Sequence, residues 1–468
     1  MAYFAAADTA LASLEARVAA LEAATGVGHD VRDYGAVGDG VADDRAAILA
    51  AIAAAAGEPV YFPPGTYLLS STLTVPDGCK LAGPLGLGPD ACAAWLQGTV
   101  VYNSNSTLTD LKIGDLGADG IRNGASASTT TFTRCQFRGG AASYLAPLKF
   151  GGGTNDADHI TFTDCNVERN LGNHESDGAS GYNNVLWIEA VGDANGSHME
   201  YITFDGCHFG VDNGRRDIAR SIGAPRANVE LYQLPGAGAV RTGSHHVYFY
   251  DCIFEAADQL ATLDIPSAVY NGATTDGYCV IDGCTIYGGG VTKDWLPNGI
   301  CVEGVNHVTI TDCDIYPAYD VSLSIIDNYG VGCHDWVVSN NRFHLDDFSH
   351  SVIEARSTEP AIHLEGTGEF TGNTIHNSSG GYWLFWLGWF YDSRSATGCT
   401  ITGNTFHELR SSAPPVGHDM VTVYDATGCT ITGNTFQTEH TNNPTFGYSG
   451  TNTGTTVIDS ENNTLIHA

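Results

Sequence analysis

From residue 129 to the end of the chain, apolar and polar positions alternate in short runs, and each run closes on a cysteine or an asparagine. The pattern is apolar, x, apolar, x, a small or polar residue, then the anchor, x, apolar. The anchors are Cys135, Cys165, Cys207, Cys252, Cys284, Cys313, Asn341, Asn373, Asn404, Asn434 and Asn463. Neighbouring anchors lie 28 to 32 residues apart, except for 42 after Cys165 and 45 after Cys207. Period-two alternation predicts strands with one face inside. A near-constant spacing predicts that each copy stacks on the one before, the longer intervals holding insertions on one face. Parallel strands joined by crossovers take the right-handed path. The expected fold is therefore all-β: a right-handed parallel β-helix solenoid.

The N-terminal part reads differently. Phe4, Ala7, Leu11, Leu14, Val18 and Leu21 repeat at alternating spacings of three and four, the seam of a coiled-coil helix. Further on, Asp43 or Asp44 can cap a helix whose apolar face holds Ile48, Leu49 and Ile52 and which Gly57 ends. A helix there suits the open end of a solenoid, where the terminal repeat needs a cap. The expected division is an attachment helix over 1–26, a cap with the first rungs over 27–128, and regular rungs over 129–468.

The anchor column changes along the chain. Like residues in adjacent parallel rungs sit ~4.8 Å apart, so a column of asparagines can pass hydrogen bonds between rungs. The first six anchors are cysteine, which predicts an apolar column there and a polar one after it. The 13 cysteines are odd in number and contain no CxxC pair. They read as buried free thiols rather than as disulfides or a zinc site.

Charge sharpens the picture. The chain carries 53 acids against 20 bases, a net charge of −33, and its only lysines are Lys80, Lys112, Lys149 and Lys293. Such self-repulsion weakens a compact state unless salt screens it, so a halophilic source is expected. No basic stripe is present to bind nucleic acid. Asp8, Glu15, Arg17 and Glu22 interrupt any secretory apolar run, and no stretch predicts membrane insertion.

Residues 30–69 carry a recognisable signature: Asp33-Tyr34-Gly35-Ala36, Gly38-Asp39-Gly40, Asp43-Asp44, Ala51-Ile52 and Tyr61-Phe62-Pro63-Pro64-Gly65-Thr66-Tyr67. This stretch resembles the N-terminal cap of the pectate-lyase-like superfamily, which includes polysaccharide lyases, polygalacturonase-type hydrolases and the tailspikes of tailed viruses. The resemblance implies the β-helix fold and a sugar groove along one outer face. The anchor asparagines resemble that family's asparagine ladder. An ordered polygalacturonase set of acids, His-Gly and Arg-x-Lys is missing, Asp346-Asp347 being a lone match.

Several anchors are preceded by a second strand that reads apolar, x, apolar, acid, as at Leu186–Glu189, Ile300–Glu303 and Ile362–Glu365. With the apolar residues inside, Glu189, Asp264, Glu303 and Glu365 are expected outside in one strip, with Trp187, Thr262, Cys301 and His363 on the same face. Paired carboxylates are what glycoside hydrolysis needs, so Asp264, Glu303 and Glu365 are the catalytic candidates. Glu189, Trp187 and His363 are candidates for holding a glycan. Trp383, Trp386, Trp389 and Tyr391 fall in one aromatic rung, some of them necessarily pointing inward, and form a glycan platform, a subunit contact or plain core. His344, His376 and His407 each follow an anchor by three places, in line with Tyr287 and Tyr316, and read as stacked surface rings. No metal or cofactor is expected.

With the tailspike resemblance, these features imply a homotrimeric virion spike that recognises host-surface glycan or glycoprotein. It would join other virion proteins through its N-terminus and be made in the host cytoplasm. The alternatives are a polysaccharide-degrading hydrolase or lyase and a structural decoration of a capsid or surface.

Overall fold

The anchor period is the period at which strands stack. The computed structural model describes residues 28–86, 91–114, 120–138, 148–151, 156–168, 186–192, 199–210, 229–235, 245–256, 261–266, 275–288, 298–318, 320–326, 333–345, 360–377, 383–388, 396–408, 421–424, 426–438, 446–448, 457–458 and 463–467. The heptad of Phe4 to Leu21 lies outside these residues.

Among the described residues the chain winds through three long sheets. Sheet A has 15 strands, from His29–Asp30 to Val457–Ile458; sheet B has 15, from Asp39–Asp43 to Thr464–His467; sheet C has 13, from Leu73–Thr74 to Phe446–Tyr448. The neighbours pair in parallel, as in Phe132↔Phe162↔Phe204↔Phe249 of sheet A. Those four rings stack at 4.6, 4.7 and 5.1 Å inside the coil. Stacking passes residue 128 without a break, because the strand Ser126–Thr133 pairs on both sides.

The anchors sit at the corner between sheets A and B. The residue before each of the first ten anchors has a left-handed backbone: Arg134, Asp164, Gly206, Asp251, Gly283, Asp312, Asn340, Gly372, Gly403 and Gly433. Glycine, aspartate and asparagine tolerate that conformation best, which explains the Asp-Cys and Gly-Asn pairs of the repeat. Each anchor side chain donates to a backbone carbonyl of the rung before it. Cys313 Sγ reaches Ile281 O at 3.5 Å, and Asn341 Nδ2 reaches Ile310 O at 2.9 Å. Thiol and amide thus serve the same acceptor position, and the cysteine half is not the purely apolar column expected from the sequence. Burial pushes the Cys165 and Cys252 thiols up, so they stay protonated donors. All 13 cysteines are free, and all but Cys92 are buried.

Helix α1, Arg45–Ala55, covers the first rungs with Ile48, Ala51, Ile52 and Ala55. Asp44 precedes it but makes no capping bond; its carboxylate accepts from the backbone N–H groups of Val37 and Gly38 instead. Asp43 accepts from Arg45 N and from the Ser70 hydroxyl, tying the helix start to the next rung. Below them Tyr67 is fully buried and donates to Pro63 O at 2.7 Å. Among the described residues no helix is long and apolar enough to cross a membrane.

Candidate functional site: two outer faces of the coil

Sheet C holds the strip read from the sequence. Its inward residues, such as Ile300, Val302, Ile362 and Leu364, are fully buried. Register aligns Trp187, Glu230, Asp264, Cys301, Ser324, His363, Trp386 and Thr422 at one strand position from rung to rung. Glu303 falls two residues along, opposite Pro266 and Ile326. Asp264 therefore does not stand in line with Glu303, as the apolar-x-apolar-acid pattern suggested, but one diagonal step away. Glu189 lies opposite Tyr232.

This face is closed along much of its length. Cys301, Ser324, His363, Trp386 and Thr422 are all buried, and Glu365 has no exposed surface. His363 Nε2 lies 3.1 Å from Glu365 Oε1. The His363 ring meets Trp386 edge-on at 6.1 Å, and Trp386 meets Tyr424 at 5.2 Å. Cys301 Sγ lies 3.7 Å from Glu303 Oε1. Burial, then the charges of Glu303 and Asp264, push that thiol well above its ordinary range. Asp264 and Glu303 are partly exposed. Of the readings open for the aromatic rung, Trp386 takes the buried one: it is packed beneath the surface and is not an exposed platform. Trp383 begins its strand; Trp389 and Tyr391 lie outside the described residues.

Sheet B presents the more open face. Its inward row runs Phe137, Val167, Phe209, Phe254, Ile286, Ile315, Phe343, Ile375, Phe406 and Phe436. One place along, pointing out, come Arg138, Glu168, Gly210, Glu255, Tyr287, Tyr316, His344, His376, His407 and Gln437. Tyr287 and Tyr316 have ring centroids 4.8 Å apart, Tyr316 and His344 4.9 Å, and His376 and His407 4.6 Å. The five rings are half-buried, leaving their edges to solvent. His344 Nε2 bonds Asp314 Oδ1 at 2.7 Å. Burial, then the charge of His376, lowers the His407 pKa.

The lower end of that row is polar and more enclosed. Arg138 lies 3.3 Å from Glu168 Oε2, and Asn166 Nδ2 donates to Glu168 Oε1 at 2.9 Å. His208 Nε2 is 3.0 Å from Glu255 Oε1. The sequence reading named the rings here but not the two glutamates, although both stand three places after an anchor, as the rings do. A third row, on sheet A, was missed altogether. His159, Tyr201, His246, Tyr278 and His307 stack at 4.6 to 4.9 Å.

Three parallel sheets wound into one coil, with a single outward row per strand position, define a parallel β-helix. Residues 29–222 match the family described as rhamnogalacturonase A/epimerase, pectate lyase-like, and residues 227–388 match the right-handed β-helix region. The chain folds as a right-handed parallel β-helix, and its N-terminal part matches the pectate-lyase-like model.

Shorter stretches are similar to individual proteins. One is 39% identical over 110 residues to a mannuronan C5-epimerase of Azotobacter vinelandii, covering 20% of this chain and 12% of that protein. Another is 65% identical over 43 residues to the plasmin and fibronectin-binding protein A of Streptococcus pneumoniae, covering 8% and 6%. A surface adhesin of Streptococcus pneumoniae superposes over 93% of this chain and 96% of its own, with a TM-score of 0.50 and 15% identity. That likeness is one of fold.

Proposed function

We propose that this protein is a glycan-binding spike: a β-helix that recognises a host-surface polysaccharide or glycoprotein during virion adsorption. The observation that carries the reading is the row Tyr287, Tyr316, His344, His376 and His407, one half-exposed ring per rung on the outside of sheet B. Such edges offer apolar surface together with phenol and imidazole hydrogen-bonding groups, the mixture that sugar rings present in return. The segments shared with a mannuronan epimerase and with a bacterial surface binding protein support a polymer or cell surface as partner. Virion attachment through residues 1–26 and a homotrimer held by the Phe4–Leu21 heptad complete the proposal.

The test is a glycan array in high salt, comparing the parent with Tyr316→Ala and His376→Ala. Binding by the parent that falls at least about tenfold in both variants supports the reading. A parent that binds no glycan, or variants that bind as the parent does, overturn it.

A further inference from the structure

The outer face of sheet A carries a group of rings that is separate from the sheet B row. The strands concerned are Asp156–Thr163, Met199–Asp205, His245–Tyr250, Thr275–Asp282 and Val305–Thr311. In the middle strand Val247 and Phe249 are fully buried, so the alternate residues His246, Tyr248 and Tyr250 turn outward, where each is half-buried. Tyr201 on the rung before and Tyr278 on the rung after stack on His246 at 4.9 and 4.7 Å and stay 41% and 39% exposed. This part of the face is therefore open to a partner.

The rings differ in what lies against them. Tyr201, His246 and Tyr278 cover one another. Tyr250 has no ring on either adjoining rung: the register places Asp205 before it and Asp282 after it. Each aspartate stands one rung step away, about 4.8 Å along the coil. Tyr248, 6.3 Å from Tyr250 and nearly parallel to it, lies between Thr203 and Val280. Asp205 and the neighbouring Asp251 are exposed, and Asp282 is half-buried. None of the five strands contains a lysine or an arginine to answer these acids. Burial, and after it the charge of Asp312, holds the Asp282 carboxyl above its ordinary range.

An acid, a ring and an acid on successive rungs suit one kind of side chain. A guanidinium is planar, so it can lie on a tyrosine face while its N–H fork pairs with a carboxylate. An ammonium is a point charge and lacks that double fit. A polyanion is repelled by the aspartates. We infer that this face of sheet A is a docking surface for an arginine-bearing polypeptide segment of a partner protein, with Tyr250 as the stacking ring and Asp205 and Asp282 as the paired carboxylates. The surface is distinct from the sheet B row and does not depend on the glycan-binding reading.

The experiment titrates the full chain in about 1 M salt, where a screening length of about 3 Å leaves only short-range contacts. The probes are three fluorescent peptides of equal length that alternate glycine with arginine, lysine or citrulline, the last being the uncharged isostere of arginine. The arginine peptide is expected to bind at least about tenfold more tightly than the lysine peptide, and the citrulline peptide more weakly than either. Tyr250→Ala, and Asp205→Asn combined with Asp282→Asn, are each expected to weaken arginine binding at least about tenfold, while Tyr250→Phe keeps the ring face and stays within about threefold of the parent. Tyr316→Ala on sheet B leaves this binding unchanged. A lysine peptide that binds as tightly as the arginine peptide marks a general attraction to an acidic chain and overturns the inference. So does a parent that binds none of the peptides, or alanine and asparagine variants that bind as the parent does. Circular dichroism shows which variants are folded; if one of them is not, the others and the peptide comparison decide.

Discussion

The backbone N–H of Cys313 donates to Oδ1 of Asn341 at 2.9 Å, and at this bond the anchor column changes from thiol to amide. Beyond it the column is continuous. Asn373 Oδ1 accepts both from Asn341 N at 2.9 Å and from Asn341 Nδ2 at 3.0 Å, and Asn404 serves Asn373 in the same way. Each asparagine therefore satisfies its own rung and both neighbours.

Asn404→Ala leaves the Asn373 backbone N–H and the Phe370 carbonyl without these partners. Each buried group stranded in this way costs about 1–3 kcal/mol. Denaturant unfolding is expected to show the unfolding free energy falling by that order, read as a lower midpoint with an unchanged slope.

Tyr67 lies under the cap, and burial raises its pKa from 10.0 to about 12. The phenol keeps its proton longer in the folded chain than in the unfolded one. Its contribution is complete below pH 10 and is lost as pH rises from 10 toward 12. Alkaline unfolding monitored across that window is expected to show this loss in the parent, and Tyr67→Phe is expected to remove it.

His407 gives the opposite dependence. Its pKa is lowered by burial and by His376, so the unfolded chain takes up the proton first. Stability is then lost as pH falls below the ordinary 6.5 and toward the folded value. His407→Gln copies the next residue in the row, Gln437, and is expected to flatten that acid-side decline in urea midpoints.

The net charge of −33 repels itself at low ionic strength. At about 1 M salt the screening length shrinks to about 3 Å. Thermal melts are expected to move upward steeply over that range. Melts that ignore ionic strength contradict a halophilic source.

Removal of residues 1–26 is expected to convert a trimer into a monomer without changing the β-sheet signal in circular dichroism. Light scattering of both forms in high salt reads the difference. A full-length monomer at micromolar concentration contradicts trimeric assembly.

The coil itself was legible because one strict constraint repeats: a left-handed residue and then a donor side chain at the corner between sheets A and B, as in Asp312-Cys313 and Gly372-Asn373. The outward rows were less so. On sheet C the run Leu263-Asp264-Ile265 fits its neighbour at Ile300–Glu303 in either of two registers that both keep apolar residues inside, and only the backbone pairing chooses Asp264↔Cys301. The burial of His363 and Trp386 was not legible either. Period-two patterning marks which face of a strand a residue takes, not whether that face is open. Glu168 and Glu255 carried a usable signal, the same offset from the anchor as Tyr287 and His344. Arg138 and Gly210 in the same row broke the run of like residues and hid it.

A row with one ring per rung is a ruler with a pitch of about 4.8 Å. A polymer whose own repeat equals that pitch meets every mark in the same way, and each added unit strengthens the grip equally. A polymer with a slightly different repeat drifts out of phase and is held only where the two periods coincide. Selection on such a surface acts on the wavelength of the polymer before it acts on the identity of any single sugar.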